Sequence, residues 1–252
     1  MDAQEALFTN LVRLADDHLI LGHRLSEWCG HAPMLEEDLA MPNIALDLIG
    51  QARALYAYAG EVEGKGREED QIAYLRLERE YNNLLLCERP NGDFAHTMLR
   101  QLFFAIFMEA YWDKAQSSSD ETIAGIAGKA VKEARYHIRH TGEWTVRLGD
   151  GTPESAERLK EAYERLTPYI AELFESDTVT QHNANGNILP NPAELKDEFI
   201  NTLKPIFAQA LLTMPEITTG QSGGRAGRHT EDMGFLLAEL QYMQRTYPDM
   251  KW

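Results

Sequence analysis

The chain has 252 residues, 44% of them hydrophobic, with 24 Lys and Arg against 40 Asp and Glu, a formal charge of −16. That apolar content fills a sizeable core and excludes disorder as the main state, while so acidic a surface repels phosphate backbones and anionic lipid and argues against nucleic acid or membrane as a direct partner. Cys29 and Cys87, the two cysteines, are too few for a disulfide framework or a thiolate metal site, and the acidic start MDAQEALFTN is unlike a secretory signal, so the expected location is the cytoplasm.

In chain order, Leu7, Leu11, Leu14, Leu21, Leu25 and Trp28 recur at steps of three, four and seven, with His18 in the same series, and predict a first long helix. After Gly30 to Pro33, a second helix runs from about Leu35 to Ala59, with Pro42 expected to bend it. Glu61 to Asp70 reads as an exposed loop, Ile72 to Cys87 as helix, and Arg89 to Asp93 as the turn that ends it. A third long helix spans Phe94 to about Ala115. Its run Leu102 to Met108 stops at Glu109, well short of the roughly 20 apolar residues a membrane span needs, and reads as core.

Beyond Ser117 to Asp120, the series Ile123, Ile126, Ala130, Ala134, His137, Thr141, Trp144 and Leu148 predicts a fourth long helix, closed by Gly149 to Gly151. Thr152 and Pro153 start a fifth. Asn183 to Asn187 reads as a polar loop, Asn191 and Glu194 as a capping box opening a sixth helix toward Leu212, Thr218 to Gly227 as a glycine-rich loop, and Thr230 to Arg245 as a last helix. No alternating run suggests a sheet and no linker divides the chain. The expectation is all-α: a single domain over 1–252, a ferritin-like antiparallel helical bundle with additional C-terminal helices.

Bundles of this kind host chemistry by aiming carboxylates and histidines inward. A di-iron centre takes a Glu from each of two helices and a Glu-x-x-His from each of two others. Here the first helix offers Asp17 and His18; the second offers Asp47, but Gly50 stands where a ligand histidine would. The centre of the third is hydrocarbon, with only Glu109 after it. The fourth offers Glu133, with Tyr136 three residues on and His137 one place late. This tally favours a buried polar network of Asp17, His18, Asp47, Glu133 and His137, with Arg53 or Arg135 as its positive charge, in which Gly50 and Tyr136 mark lost ligands of a vestigial di-iron site. The alternative is a di-metal carboxylate oxygenase active in its own right, built on Asp17, Asp47, Glu133 and His137. The loop carrying Gly223, Gly224, Arg225, Arg228 and His229 reads either as a connector or as a segment ordered by a partner or by ligand phosphates.

Several blocks resemble a known family: LSEWCGHAP from Leu25 to Pro33, NIALDLIGQAR from Asn43 to Arg53, NNLLL from Asn82, RPNGDF from Arg89, KEARYH from Lys132, GGRAGRHTE from Gly223, and QYMQR from Gln241 with Trp252. In order and spanning nearly the whole chain, they look like the C subunits of phenylacetyl-CoA epoxidase, the ring 1,2-phenylacetyl-CoA monooxygenase. The resemblance implies a structural, non-catalytic ferritin-like subunit in aerobic phenylacetate degradation, with no cofactor of its own. It pairs with a homologous catalytic A subunit that carries the di-iron centre, and a small B subunit bridges the assembly. The complex forms the ring epoxide with dioxygen and electrons from NADPH. Made alone, such a scaffold is expected to aggregate or to self-dimerise.

Overall fold

A computed structural model describes residues 1–248 and 250; Asp249, Lys251 and Trp252, the last of them part of the terminal motif, lie outside the described residues. Along the chain run α1 (Ala3–Ser26), α2 (Leu35–Glu63), α3 (Glu69–Tyr74), α4 (Leu85–Glu88), α5 (Phe94–Ala115), α6 (Glu121–Gly149), α7 (Pro153–Leu166), α8 (Thr178–Asn185), α9 (Lys196–Gln209), α10 (Glu231–Leu240) and α11 (Tyr242–Thr246), joined by loops and short 3₁₀ turns. No strand occurs among the described residues, so the all-α class read from the sequence holds. None of their helices is long and apolar enough to cross a membrane.

Two compact units emerge where the sequence offered no dividing linker: residues 1–90 with 223–252, and residues 91–222. The chain passes between them in the Arg89 to Asp93 turn and in the glycine-rich loop, both short and ordered, which is why neither reads as a linker.

In the first unit α1 and α2 form an antiparallel hairpin. Gln4 donates to the Val62 carbonyl near one end, and Gly22 lies against Ala45, Leu48 and Ile49 near the other. Asp2 caps α1 by accepting from the Glu5 N–H at 2.8 Å, and Gly64 ends α2 in the left-handed conformation at φ 68°. The helix runs through Pro42 without interruption and on to Glu63, absorbing the start of the expected loop.

The predicted helix from Ile72 to Cys87 is corrected. Only α3 and α4 form there, and the residues between them are extended apart from a 3₁₀ turn at Glu78–Glu80. The reason is tertiary. The Asn82 and Leu84 N–H groups donate to the carboxylates of Asp16 and Asp17 at 2.8 and 2.7 Å, and a helix would have spent them on carbonyls four residues back. The last predicted helix is likewise split at Gln241, whose side chain is buried against Arg76 and Tyr81.

The second unit is built on the α5–α6 hairpin, antiparallel because Phe94 packs edge-on to Trp144 while Glu109 and Asp113 meet Arg135. Asp93 and Asp120 cap the two helices, each accepting from a first-turn N–H at 2.9 Å. Leu102 to Met108 is buried throughout, as its composition requires. Helix α8 occupies part of the expected polar loop, because Asp177 and Thr180 form a reciprocal cap that overrides its weak helix formers. Asn191 does cap the sixth pattern, but that pattern opens as a 3₁₀ turn and becomes α-helical only at Lys196. It closes with Leu211 at φ 59°, in the left-handed position where glycine is the usual choice.

Candidate functional site: a buried ionic network

Two adjacent aspartates in the middle of α1, Asp16 and Asp17, are both fully buried. A carboxylate removed from water costs several kcal/mol unless charge and hydrogen bonds compensate it, so its partners define the site. Asp16 accepts from the Tyr56 hydroxyl, from both Nη atoms of Arg76, and from the Asn82 N–H. Arg76 is held by the carbonyls of Ile72 and Glu80 at 2.6 and 2.9 Å, and its guanidinium lies 4.1 Å from the centre of the Tyr81 ring. Burial works against the Arg76 charge, but Asp16 more than offsets it and keeps the guanidinium firmly protonated. Burial also raises the Tyr56 hydroxyl well above its ordinary range and pushes Tyr81 to about 12, so both remain neutral.

Asp17 takes a two-pronged contact from Arg225, Nη1 to Oδ1 at 3.0 Å and Nη2 to Oδ2 at 2.7 Å, besides the Leu84 N–H. Burial pushes its pKa up to about 6, with Arg225 limiting the rise. Arg225 also donates to the carbonyls of Arg13 and Asn82 at 3.2 and 2.9 Å.

A further buried acid, Glu88, accepts from His229 Nδ1 at 2.7 Å, from the Thr230 N–H at 2.6 Å and from Asn83 at 3.0 Å. His229 Nε2 faces the Tyr81 carbonyl at 3.0 Å, so both ring nitrogens meet acceptors and the doubly protonated ring suits the site. Burial depresses the imidazole pKa, but the Glu88 hydrogen bond and charge outweigh it and the net shift is upward. A group whose pKa is raised by folding contributes stability below its unfolded value that is lost as pH climbs through the folded one. Urea denaturation from pH 6.5 to 9 is therefore expected to show the chain weakening, with a shallower decline in His229→Gln. Parallel curves would remove His229 as the cause.

The glycines of the loop are there for proximity. A Cβ on Gly224 would stand 2.0 Å from the Asn83 carbonyl oxygen, and one on Gly227, which has φ 67°, 2.2 Å from the Arg79 carbonyl oxygen. The loop lies flat on the 79–85 segment and carries Arg225 and His229 into the hairpin, while Arg228 stays exposed. Arg225 is engaged with Asp17 of its own unit.

The other predicted positions are dispersed. His18 is fully buried, with Nδ1 2.7 Å from the Leu14 carbonyl, and Asp47 is half-buried on α2. Glu133 pairs with Lys129 at 3.2 Å and His137 is buried, both on α6 in the second unit. Gly50 and Tyr136, expected in a buried network, are exposed. The expected cations are corrected too. Arg53 is exposed and pairs with Glu69, and exposed Arg135 pairs with Glu109 and Asp113. The cations that pair with Asp16 and Asp17 are Arg76 and Arg225. Sequence reasoning missed Asp16, Tyr56, Arg76, Tyr81 and Glu88 as site residues; the signal lay in adjacent acids within an apolar helix pattern.

As ligands for a di-iron centre, Asp16 and Asp17 do not fit, since their oxygens are taken by arginines, a tyrosine and backbone N–H groups. Within either unit, no group of three or more His, Cys, Asp and Glu is arranged to hold a metal ion among the described residues.

The chain, whose Asp16 and Asp17 are buried in its first hairpin and held by arginines, belongs by sequence to the family described as phenylacetic acid catabolic protein, whose model matches residues 1–252. A curated relative is the C subunit of 1,2-phenylacetyl-CoA epoxidase from Escherichia coli strain K12, 43% identical over 241 residues that cover 96% of this chain and 97% of the relative.

Proposed function

We propose that this chain is a structural, non-catalytic subunit of a cytoplasmic phenylacetyl-CoA epoxidase in aerobic phenylacetate degradation, pairing with and stabilising a homologous catalytic subunit that carries the di-iron centre. The observation that carries this reading is the fate of the α1 carboxylates: Asp17 is held bidentately by Arg225, and Asp16 by Arg76 and Tyr56. A carboxylate so engaged is a structural anion, since metal binding would require discarding a buried arginine without a partner. The near full-length match to the C subunit of such an epoxidase supports the same assignment.

Phenylacetyl-CoA, dioxygen and reducing equivalents from NADPH are then handled by other subunits, with a small B subunit bridging them. The acidic balance of this chain, −16, agrees with a coenzyme A thioester being held elsewhere. Elemental analysis of the chain alone and of its complex with the catalytic homologue tests the reading. Iron is expected only in the complex; about two irons on the lone chain would overturn it and return Asp17, Asp47, Glu133 and His137 to candidacy as ligands.

A further inference from the structure

The buried acids of the first unit take their cations from two different places. Asp16 is held by Arg76, with the Tyr56 hydroxyl and the Asn82 N–H, all within residues 1–90. Asp17 and Glu88 are held by Arg225 and His229, both in the returning segment from Gly223 to Thr246. Lifting that segment away leaves those partners of Asp16 in place and strips Asp17 and Glu88 of their cations.

What fastens the segment is mostly polar. Besides the two pairs, Arg89 meets Asp232 at 2.7 Å, Gln241 donates to the Arg76 carbonyl and the Tyr81 hydroxyl at 2.8 Å, and Arg245 donates to the Arg76 carbonyl at 2.8 Å. Among the described residues the apolar side chains it buries are Met233, Leu236 and Leu237, where α10 packs on α4 and the Glu78–Glu80 turn, while Phe235 and Tyr242 are 76% and 60% exposed. Buried hydrocarbon resists opening in proportion to its area. A buried ion pair spends much of its attraction on desolvation, so wetting both partners together costs less than stripping one of the other. The α1–α2 hairpin is built differently: α1 by itself buries Leu11, Leu14, Ile20, Leu21 and Leu25.

Solvent already reaches the Asp17 pair from the side of the segment, where the Arg225 side chain is 20% exposed. The segment also begins at a joint. The Gln221 N–H is pinned to the Pro168 carbonyl at 2.7 Å, and two residues on Gly223 has φ 137°, a conformation that glycine adopts freely and other residues rarely.

We propose that residues 223–246 are a strap that opens as one unit about Gly223, giving Asp17 and Glu88 to solvent while the α1–α2 hairpin and its Asp16–Arg76 pair stay closed. The fold can thus release its C-terminal segment without losing its first hairpin.

Native-state hydrogen exchange of the full chain, read by mass spectrometry on peptides from α1, α2 and residues 231–246, tests this. The protected amides of 231–246 are expected to exchange together, at least tenfold faster than those of α1 and α2. Arg225→Gln is expected to speed 231–246 at least tenfold further and to leave α1 and α2 near their wild-type rates. Tyr56→Phe, which loosens Asp16 instead, is expected to speed α1 and α2 and leave 231–246 as it was. Equal rates for strap and hairpin in the wild-type chain overturn the proposal without any variant. So does an Arg225→Gln chain in which α1, α2 and 231–246 accelerate alike, since strap and hairpin are then one cooperative unit. An unchanged 231–246 rate in Arg225→Gln overturns the ionic fastening.

Discussion

Arg225→Ala is expected to lower the unfolding free energy by about 3–5 kcal/mol, the range for removing one partner of a buried ion pair. The guanidinium supplies two contacts to a fully buried carboxylate and satisfies the carbonyls of Arg13 and Asn82 as well. Alanine leaves Asp17 with the Leu84 N–H alone among these partners. Without its cation the carboxyl titrates higher still than about 6, so it escapes part of the cost by taking up a proton. The sign follows: a carboxyl raised by folding favours the native state at low pH, and that contribution disappears as pH rises through the folded value. The penalty in Arg225→Ala therefore grows from pH 5 to pH 8. Adding Asp17→Asn should recover much of it, because the charge that cannot be accommodated is gone. Urea titrations of wild type, both single variants and the double variant at the two pH values decide the matter. A pH-independent loss, or no rescue, would mean that Arg225 acts by packing alone.

Gly224→Ala is expected to approach the same loss, about 2–4 kcal/mol, although it deletes nothing. Its new methyl would stand 2.0 Å from the Asn83 carbonyl oxygen and 3.2 Å from the Leu85 nitrogen, so the loop must lift by more than an ångström. Arg225 follows in sequence and cannot keep contacts of 2.7 to 3.0 Å from a displaced backbone. The two substitutions remove one interaction by different routes, so the double variant should cost little more than either alone. Simple additivity would separate the loop from the ion pair.

The long helices were legible because their signals are local. Asp2, Asp93, Asp120 and Thr152 cap α1, α5, α6 and α7, and the buried runs recur at helical spacing. The segment 75–84 was not legible, since its sequence suits a helix and only Asp16 and Asp17, more than 60 residues away, draw its N–H groups outward. The site divided along the same line. Asp17, Arg225 and His229 could be singled out by type and position, but Arg76 is a common residue whose role exists only once α1 is beside it. Gly50 shows the opposite failure. A pattern counted for ligands placed it inward, whereas α2 turns it outward.

The loop from Gly223 to Thr230 also sets an order of events in biosynthesis. Asp17 must wait for an arginine 208 positions later, and Glu88 for a histidine 141 positions later. At about 5–20 residues per second, roughly 10–40 s separate Asp17 from its cation on the ribosome. Until then Asp17 has no cation, and protonation is what neutralises it. The native ion pairs of that hairpin therefore close only after translation has reached the loop.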